Sequence, residues 1–263
     1  MNRDQRILLT GASRGIGHAL ALRLAKPGVR LALSGSARSA GLTETAEGCK
    51  TRGAEVLQVV GDLSDPAVPA RLVAEAAAAF GGLDAVVSNA GIALPGSLVG
   101  LSPDDFDRTF AVNVRAPWML AGAAYESLKA TRGAFVAVAS MSGVEPFPGV
   151  GCYSSSKAAL IMLVRTLALE WAQANVRVNA VSPGLFLSSM TAPIYADPEK
   201  KAAREAIVPL HRIGDPARDL GGLVEFLLSA DATYITGQNF LVDGGLLGSI
   251  QAHIAGRPKS GPR

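Results

Sequence analysis

Two groups of residues are spaced for chemistry. Tyr153 and Lys157 stand four apart in Tyr153-Ser154-Ser155-Ser156-Lys157, which on a helix puts them on one face. A tyrosine is ordinarily a weak acid, with a pKa of about 10. An ammonium one turn away favours the phenolate and brings its proton exchange toward working pH. The same spacing also describes an ordinary surface pair on an amphipathic helix. The second group is Thr10-Gly11-Ala12-Ser13-Arg14-Gly15-Ile16-Gly17, which follows a short apolar run and enters a helical pattern. Glycines there permit a tight turn and close approach of a pyrophosphate, whose charge the N–H groups and dipole of the next helix stabilise. Strand before and helix after is the context that distinguishes such a site from a merely structural glycine turn.

The elements that must carry these groups alternate along the chain. Short apolar runs predict strands at Ile7–Thr10, Arg30–Ser34, Glu55–Val60, Asp84–Ser88, Ala134–Ala139, Arg177–Val181 and Asn239–Val242. Helical patterns fill the intervals at Gly15–Ala25, Pro66–Phe80, Pro103–Lys129 and Ser154–Ala174. Asp65 reads as the N-cap of the second of these, with Pro66 in its first turn. The rhythm implies βαβ units, hence an α/β fold with a doubly wound parallel sheet of Rossmann type in a single domain. That domain is expected over residues 1–250. The stretch 185–211 breaks the rhythm with Pro193, Pro198 and Pro209. It follows a strand whose carboxyl end faces the ligand edge of such sheets, so it reads as a substrate lid as readily as a long surface loop. Residues 251–263 are expected to form a flexible tail.

Composition narrows the class. Of 263 residues, 49% are hydrophobic and only 5% aromatic, which suits aliphatic helices on both faces of a buried sheet. The net charge of +3 is held by Arg257, Lys259 and Arg263 in the tail; without them 22 cations face 22 acids. A nucleic-acid partner is therefore not expected. Cys49 and Cys152 have neither a disulfide framework nor metal-site spacing, so no metal is expected, and reduced thiols point to the cytoplasm. The apolar run near the start is too short for a signal or membrane segment.

The three-residue gap between Gly11 and Gly15 resembles the cofactor motif T-G-x-x-x-G-x-G of the short-chain dehydrogenase/reductase family, and further motifs follow in order from Arg6 to Leu246. Asp62-Leu63 stands where the family contacts the adenine ring. Asn89-Ala90-Gly91 resembles its N-N-A-G, with Ser88 replacing the first Asn. Asn113 falls in the long helix, Ser140 ends the fifth strand in Ser140-Met141-Ser142-Gly143, and Tyr153 with Lys157 supplies Y-x-x-x-K. Pro183, Gly184 and Leu185 resemble the nicotinamide-side segment, Ser188 replaces a carboxamide-holding Thr, and Asp243-Gly244-Gly245 resembles the closing turn.

The resemblance implies an enzyme that interconverts a ketone and a secondary alcohol with a nicotinamide cofactor. Tyr153 would give or take the proton, and Ser140 would hydrogen-bond the substrate oxygen. Lys157 would tune Tyr153 and hold the nicotinamide ribose, and Asn113 would anchor a relay water. The second strand ends in Ser34-Gly35-Ser36-Ala37-Arg38 with no acid to bind ribose hydroxyls. Arg14, Arg38 and Ser36 would instead meet a 2′-phosphate, so NADP(H) is preferred, with NAD(H) possible. The chain resembles 3-oxoacyl-thioester reductases and equally sugar, steroid and other alcohol dehydrogenases. Its expected substrate lining is Ala93, Leu94, Pro95, Val144, Glu145, Phe147, Leu185, Phe186 and Leu187. Family analogy implies a homo-oligomer, a tetramer. A dinucleotide-binding scaffold without catalysis is the alternative from another class, which absence of Ser, Tyr or Lys would have favoured.

Overall fold

The computed structural model describes residues 5–188 and 191–249. Seven parallel strands form one sheet in the order β3-β2-β1-β4-β5-β6-β7. They are β1 (Arg6–Leu9), β2 (Arg30–Gly35), β3 (Glu55–Val60), β4 (Ala85–Ser88), β5 (Ala134–Val138), β6 (Arg177–Pro183) and β7 (Asn239–Val242). The chain runs outward from β1 to β3, then returns to the other side of β1 at β4. That reversal leaves a crevice at the carboxyl ends of β1 and β4, the place where such sheets bind ligands.

Parallel strands covered on both faces should be apolar throughout rather than alternating. β4 and β5 are buried at every residue. On one face α3 (Val68–Phe80), α5 (Ala116–Thr131) and α6 (Tyr153–Trp171) pack through Leu72, Leu120, Ala124, Leu160 and Val164. On the other, α1 (Gly15–Leu24), α2 (Ala40–Thr51) and α9 (Gly221–Leu228) pack through Leu20, Leu24, Leu42, Ala46 and Leu227. The architecture is the single doubly wound α/β domain that the alternation predicts.

Four local departures have physical causes. The helix expected from Pro66 begins at Val68, with Pro69 rather than Pro66 in its first turn. Asp65 caps no helix; its Oδ1 accepts from Ala67 N at 2.9 Å and shapes the turn before it. The single helix expected over Pro103–Lys129 is α4 (Pro103–Phe110), a π-turn (Ala111–Arg115) and α5. Pro117 has no N–H to offer the carbonyl four residues back, that of Asn113, so regular α-helical bonding cannot pass through this point. The stretch 185–211 carries α7 (Ala192–Tyr195) and α8 (Pro198–Ile207), the latter capped by Asp197, whose Oδ1 accepts from Glu199 N at 3.0 Å. Finally, α2 and α9 occupy stretches left unassigned from sequence. The expected tail, 251–263, lies outside the described residues. No described helix is long and apolar enough to cross a membrane.

Candidate active site

At the carboxyl ends of the strands lies a cavity of about 630 Å³, lined from the glycine turn at one end to Tyr153, Lys157 and Ser188 at the other. Such a volume lies within the range of cofactor sites. Gly11, Ser13, Arg14, Gly15, Ile16 and Gly17 form its floor. A Cβ on Gly17 would stand 2.0 Å from the Gly11 carbonyl oxygen, so the turn closes only with glycine there. Arg14 precedes α1 without any side-chain cap, which leaves the helix's first N–H groups free for an anion. This uncapped cradle fits a dinucleotide pyrophosphate.

Asn89 ties β4 to that turn. Its Nδ2 donates to the carbonyls of Thr10 at 3.0 Å and Gly11 at 3.2 Å, while its backbone N–H donates to Thr10 Oγ1 at 3.1 Å. Ala90 and Gly91 continue the wall. Asp62 and Leu63 line the far end beyond β3. The Asp62 carboxyl is held below its ordinary value by hydrogen bonding to Ser64 and by the nearby charge of Arg108.

Ser140 leaves β5 and opens a one-turn 3₁₀ helix, Met141–Gly143, its Oγ accepting from Ser142 N at 3.1 Å. Tyr153 is the first residue of α6, and its N–H donates to Val150 O at 3.2 Å. Burial pushes the Tyr153 phenol above its ordinary value, and a hydrogen bond with the Ser140 side chain offsets part of that rise. Lys157, 3% exposed, donates to Val138 O at 2.9 Å, and its Nζ is 5.8 Å from the Tyr153 ring centroid. Burial lowers its ammonium to about 8. The expected lowering of Tyr153 by Lys157 is thus not the dominant effect in the chain alone. Desolvation is the largest influence on the phenol, and the hydrogen bond with Ser140 is what opposes it.

Asn113 is fully buried in the π-turn behind this pair. Its Oδ1 accepts from Ile92 N at 2.9 Å, and its Nδ2 donates to Ile92 O at 2.8 Å and Ser156 Oγ at 3.0 Å. Both amide hydrogens are committed, so any water it holds must be held through a carbonyl oxygen.

Most expected cofactor residues meet on this one cavity, Ser36 and Ser188 included, but four do not line it. Arg38 is exposed beyond its rim. Pro183 ends β6, Gly184 donates to Val242 O at 2.8 Å, and Leu185 faces a smaller neighbouring cavity of about 180 Å³ together with Phe186. Of the expected substrate lining, Ala93 and Leu94 reach the main cavity, whereas Pro95, Val144, Glu145, Phe147 and Leu187 are exposed residues of the loops around it. Arg108 and Val112 line the cavity and were missed from sequence; their four-residue spacing, one face of a helix, was the available signal. Among the described residues no group of three or more His, Cys, Asp or Glu is arranged to hold a metal.

Fold and site together define a Rossmann-type oxidoreductase. The chain belongs to the short-chain dehydrogenase/reductase family, which acts on alcohols and carbonyls: residues 11–247 match the family model described as enoyl-(acyl carrier protein) reductase. It is similar to glucose 1-dehydrogenase of Gluconobacter oxydans, 37% identical over 92% of this chain and 91% of that one. It is also 37% identical to dehydrogenase/reductase SDR family member 4 of Bos taurus, over 92% of this chain and 87% of the other. A structure from Beutenbergia cavernae, assigned as an NAD(P)-dependent gluconate 5-dehydrogenase and holding NADP, superposes with a TM-score of 0.86. Its identity is 34%, over 93% of this chain and 97% of that one.

Proposed function

We propose that this protein is an NADP(H)-dependent enzyme interconverting a ketone and a secondary alcohol, with Tyr153 as general acid and base. The observation that carries the reading is one cavity running from an uncapped helix N-terminus to Tyr153 and the buried Lys157. A bound nicotinamide supplies the hydride for the carbonyl carbon. Tyr153 donates its proton to the carbonyl oxygen in reduction and accepts it in oxidation. The Ser140 hydroxyl donates a hydrogen bond to the same oxygen as negative charge develops there. Lys157 lies within reach of both the phenol and a ribose, and its ammonium offsets charge left on Tyr153. Asn113 holds the start of α6 in place and offers a carbonyl oxygen to a relay water.

Preference for NADP(H) rests on the end of β2. Ser36 lines the cavity there beside Arg14, Arg38 follows just outside, and no carboxylate stands at this point to repel a 2′-phosphate. NAD(H) is the second cofactor of the reading. The segment 185–211 serves as the substrate lid, with Ser188 reaching the cavity from it. The enzyme is a cytoplasmic homo-oligomer, a tetramer on the family's pattern. Exposed Trp118 on α5 and Met162 and Leu169 on α6 supply apolar faces for it. A 3-oxoacyl thioester is one substrate to test and glucose, oxidised by the Gluconobacter oxydans relative, another.

The experiment is to follow NADPH oxidation by the purified protein with an acetoacetyl thioester and a panel of ketones, and NADP⁺ reduction with sugars. Titration with NADPH and NADH runs beside it. Turnover with NADPH bound more tightly than NADH is expected. Failure to bind either cofactor contradicts the reading.

A further inference from the structure

Three loops surround the mouth above Tyr153, and their side chains have one character. The first, residues 93–100, joins β4 to α4 and contains no charged residue. Its single hydroxyl, Ser97, is used locally, its Oγ accepting from Val99 N at 3.3 Å. The second, between Ser140 and Tyr153, contains one charged residue, Glu145, which is exposed. The third opens the lid as Leu185-Phe186-Leu187-Ser188; the Ser188 hydroxyl is 3.1 Å from Thr191 Oγ1 and so already partnered.

Two of these loops are fastened together beside the reacting pair. Gly96 N–H donates to Gly149 O at 3.0 Å, and Gly151 N–H donates back to Gly96 O at 2.9 Å. Gly151 has a φ of +56°, and a Cβ there would stand 2.7 Å from Leu94 O, so the two loops lie in direct contact two residues before Tyr153. Large apolar side chains on the three loops are left uncovered: Leu98 is 65% exposed, Val99 98%, Phe147 40% and, on the lid, Leu187 52%. Leu94, on the first of these loops, lines the cavity itself. Isolated exposed apolar residues need no explanation, but several of them on the loops that flank a reaction site point to an apolar ligand.

Resting on the proposed carbonyl chemistry, we infer that the substrate is a ketone, or its alcohol, with an apolar aliphatic or aryl body, and not a sugar or other polyol. A polyol brings several hydroxyls that each need a partner once water is removed, and an unpaired buried hydroxyl is strongly unfavourable. Beyond Ser140, the hydroxyls among the described residues 93–100, 141–152 and 185–188 are Ser97, Ser142 and Ser188, and two of these already take part in local hydrogen bonds. An apolar body asks for no such partners and removes Leu94, Leu98, Val99, Phe147 and Leu187 from water. The reaction at its carbonyl balances as before: one hydride to carbon from NADPH, one proton to oxygen from Tyr153, giving the secondary alcohol and NADP⁺.

Binding tests this independently of turnover. Tyr153→Phe protein saturated with NADPH is titrated with 2-alkanones of increasing chain length and, separately, with glucose loaded against NADP⁺. Each added methylene should tighten binding by roughly two- to fourfold until the apolar surface is covered. Phe147→Ser and Leu98→Ser should flatten that series while NADPH affinity is unchanged. A series independent of chain length, or glucose bound more tightly than the longer ketones, overturns the inference. So does a chain-length effect that appears only on dissociation of an oligomer, which would show the apolar rim to be a subunit contact. Absence of NADPH-dependent turnover in the wild-type protein would instead count against the proposed function, since the binding series does not depend on it.

Discussion

Asn113 Nδ2 donates to Ser156 Oγ across 3.0 Å, joining the π-turn between α4 and α5 to the first turn of α6. Ser156 in turn donates to Tyr153 O at 2.7 Å. The position of Tyr153 thus depends on a residue forty positions earlier in the chain.

Asn113→Ala should therefore both destabilise the protein and impair turnover. It removes three hydrogen bonds and leaves the half-buried Ile92 N–H and C=O without their side-chain partner, which costs about 1–3 kcal/mol. Thermal unfolding measures the first effect. Steady-state kinetics of the folded fraction should show kcat reduced more than NADPH affinity. Equal loss of both would mean that the residue acts on the cofactor and not on α6.

Ser140→Ala should lower kcat by about 10²–10³-fold, the usual effect of losing one donor to a developing oxyanion. It also removes the hydrogen bond that favours the Tyr153 phenolate. Its pH profile for alcohol oxidation should accordingly shift to higher pH. An unshifted profile would separate Ser140 from Tyr153.

Because burial holds the Tyr153 phenol above its ordinary value, its proton stays on through neutral pH. Carbonyl reduction needs that proton, so its kcat/KM should be sustained from neutral into mildly alkaline solution and fall only beyond. Alcohol oxidation needs the phenolate and should rise with pH over the same range. Parallel pH profiles in the two directions would exclude Tyr153 as the shared acid and base.

Lys157 is a liability for stability. Its ammonium titrates at about 8 in the folded chain against an ordinary 10.5, so between those values the unfolded chain holds more protons and stability rises with pH. Below about 8 the full cost of the buried charge is present. Lys157→Met should stabilise the protein at pH 7 by about 2 kcal/mol, allowing for the lost bond to Val138, while abolishing activity. That advantage should vanish above pH 10.5. A destabilised Lys157→Met at pH 7 would show that the ammonium is better solvated than its surroundings indicate.

The strands were legible to within two residues because parallel, doubly covered strands leave uninterrupted apolar runs such as Ala134–Val138. The glycine turn was legible because steric necessity at Gly17 fixes the residue type. The rest failed for identifiable reasons. α2 buries Leu42, Thr45, Ala46 and Cys49, a helical spacing obscured by Thr45 standing at a buried position and by Gly41 and Gly48 within the helix. α9 is short and begins with Gly221-Gly222. Nothing in the residue types announced the π-turn except Pro117, whose missing donor acts four residues upstream. Arg108 was passed over because its role depends on Asp62, distant in sequence and near only in the fold.

The most direct measurement compares the wild-type protein with Tyr153→Phe, recording NADPH affinity and ketone reduction on the same preparations. The account predicts unchanged NADPH binding with turnover reduced by about 10²–10⁴-fold, the loss of a positioned general acid. Turnover retained by Tyr153→Phe at the wild-type rate would contradict it.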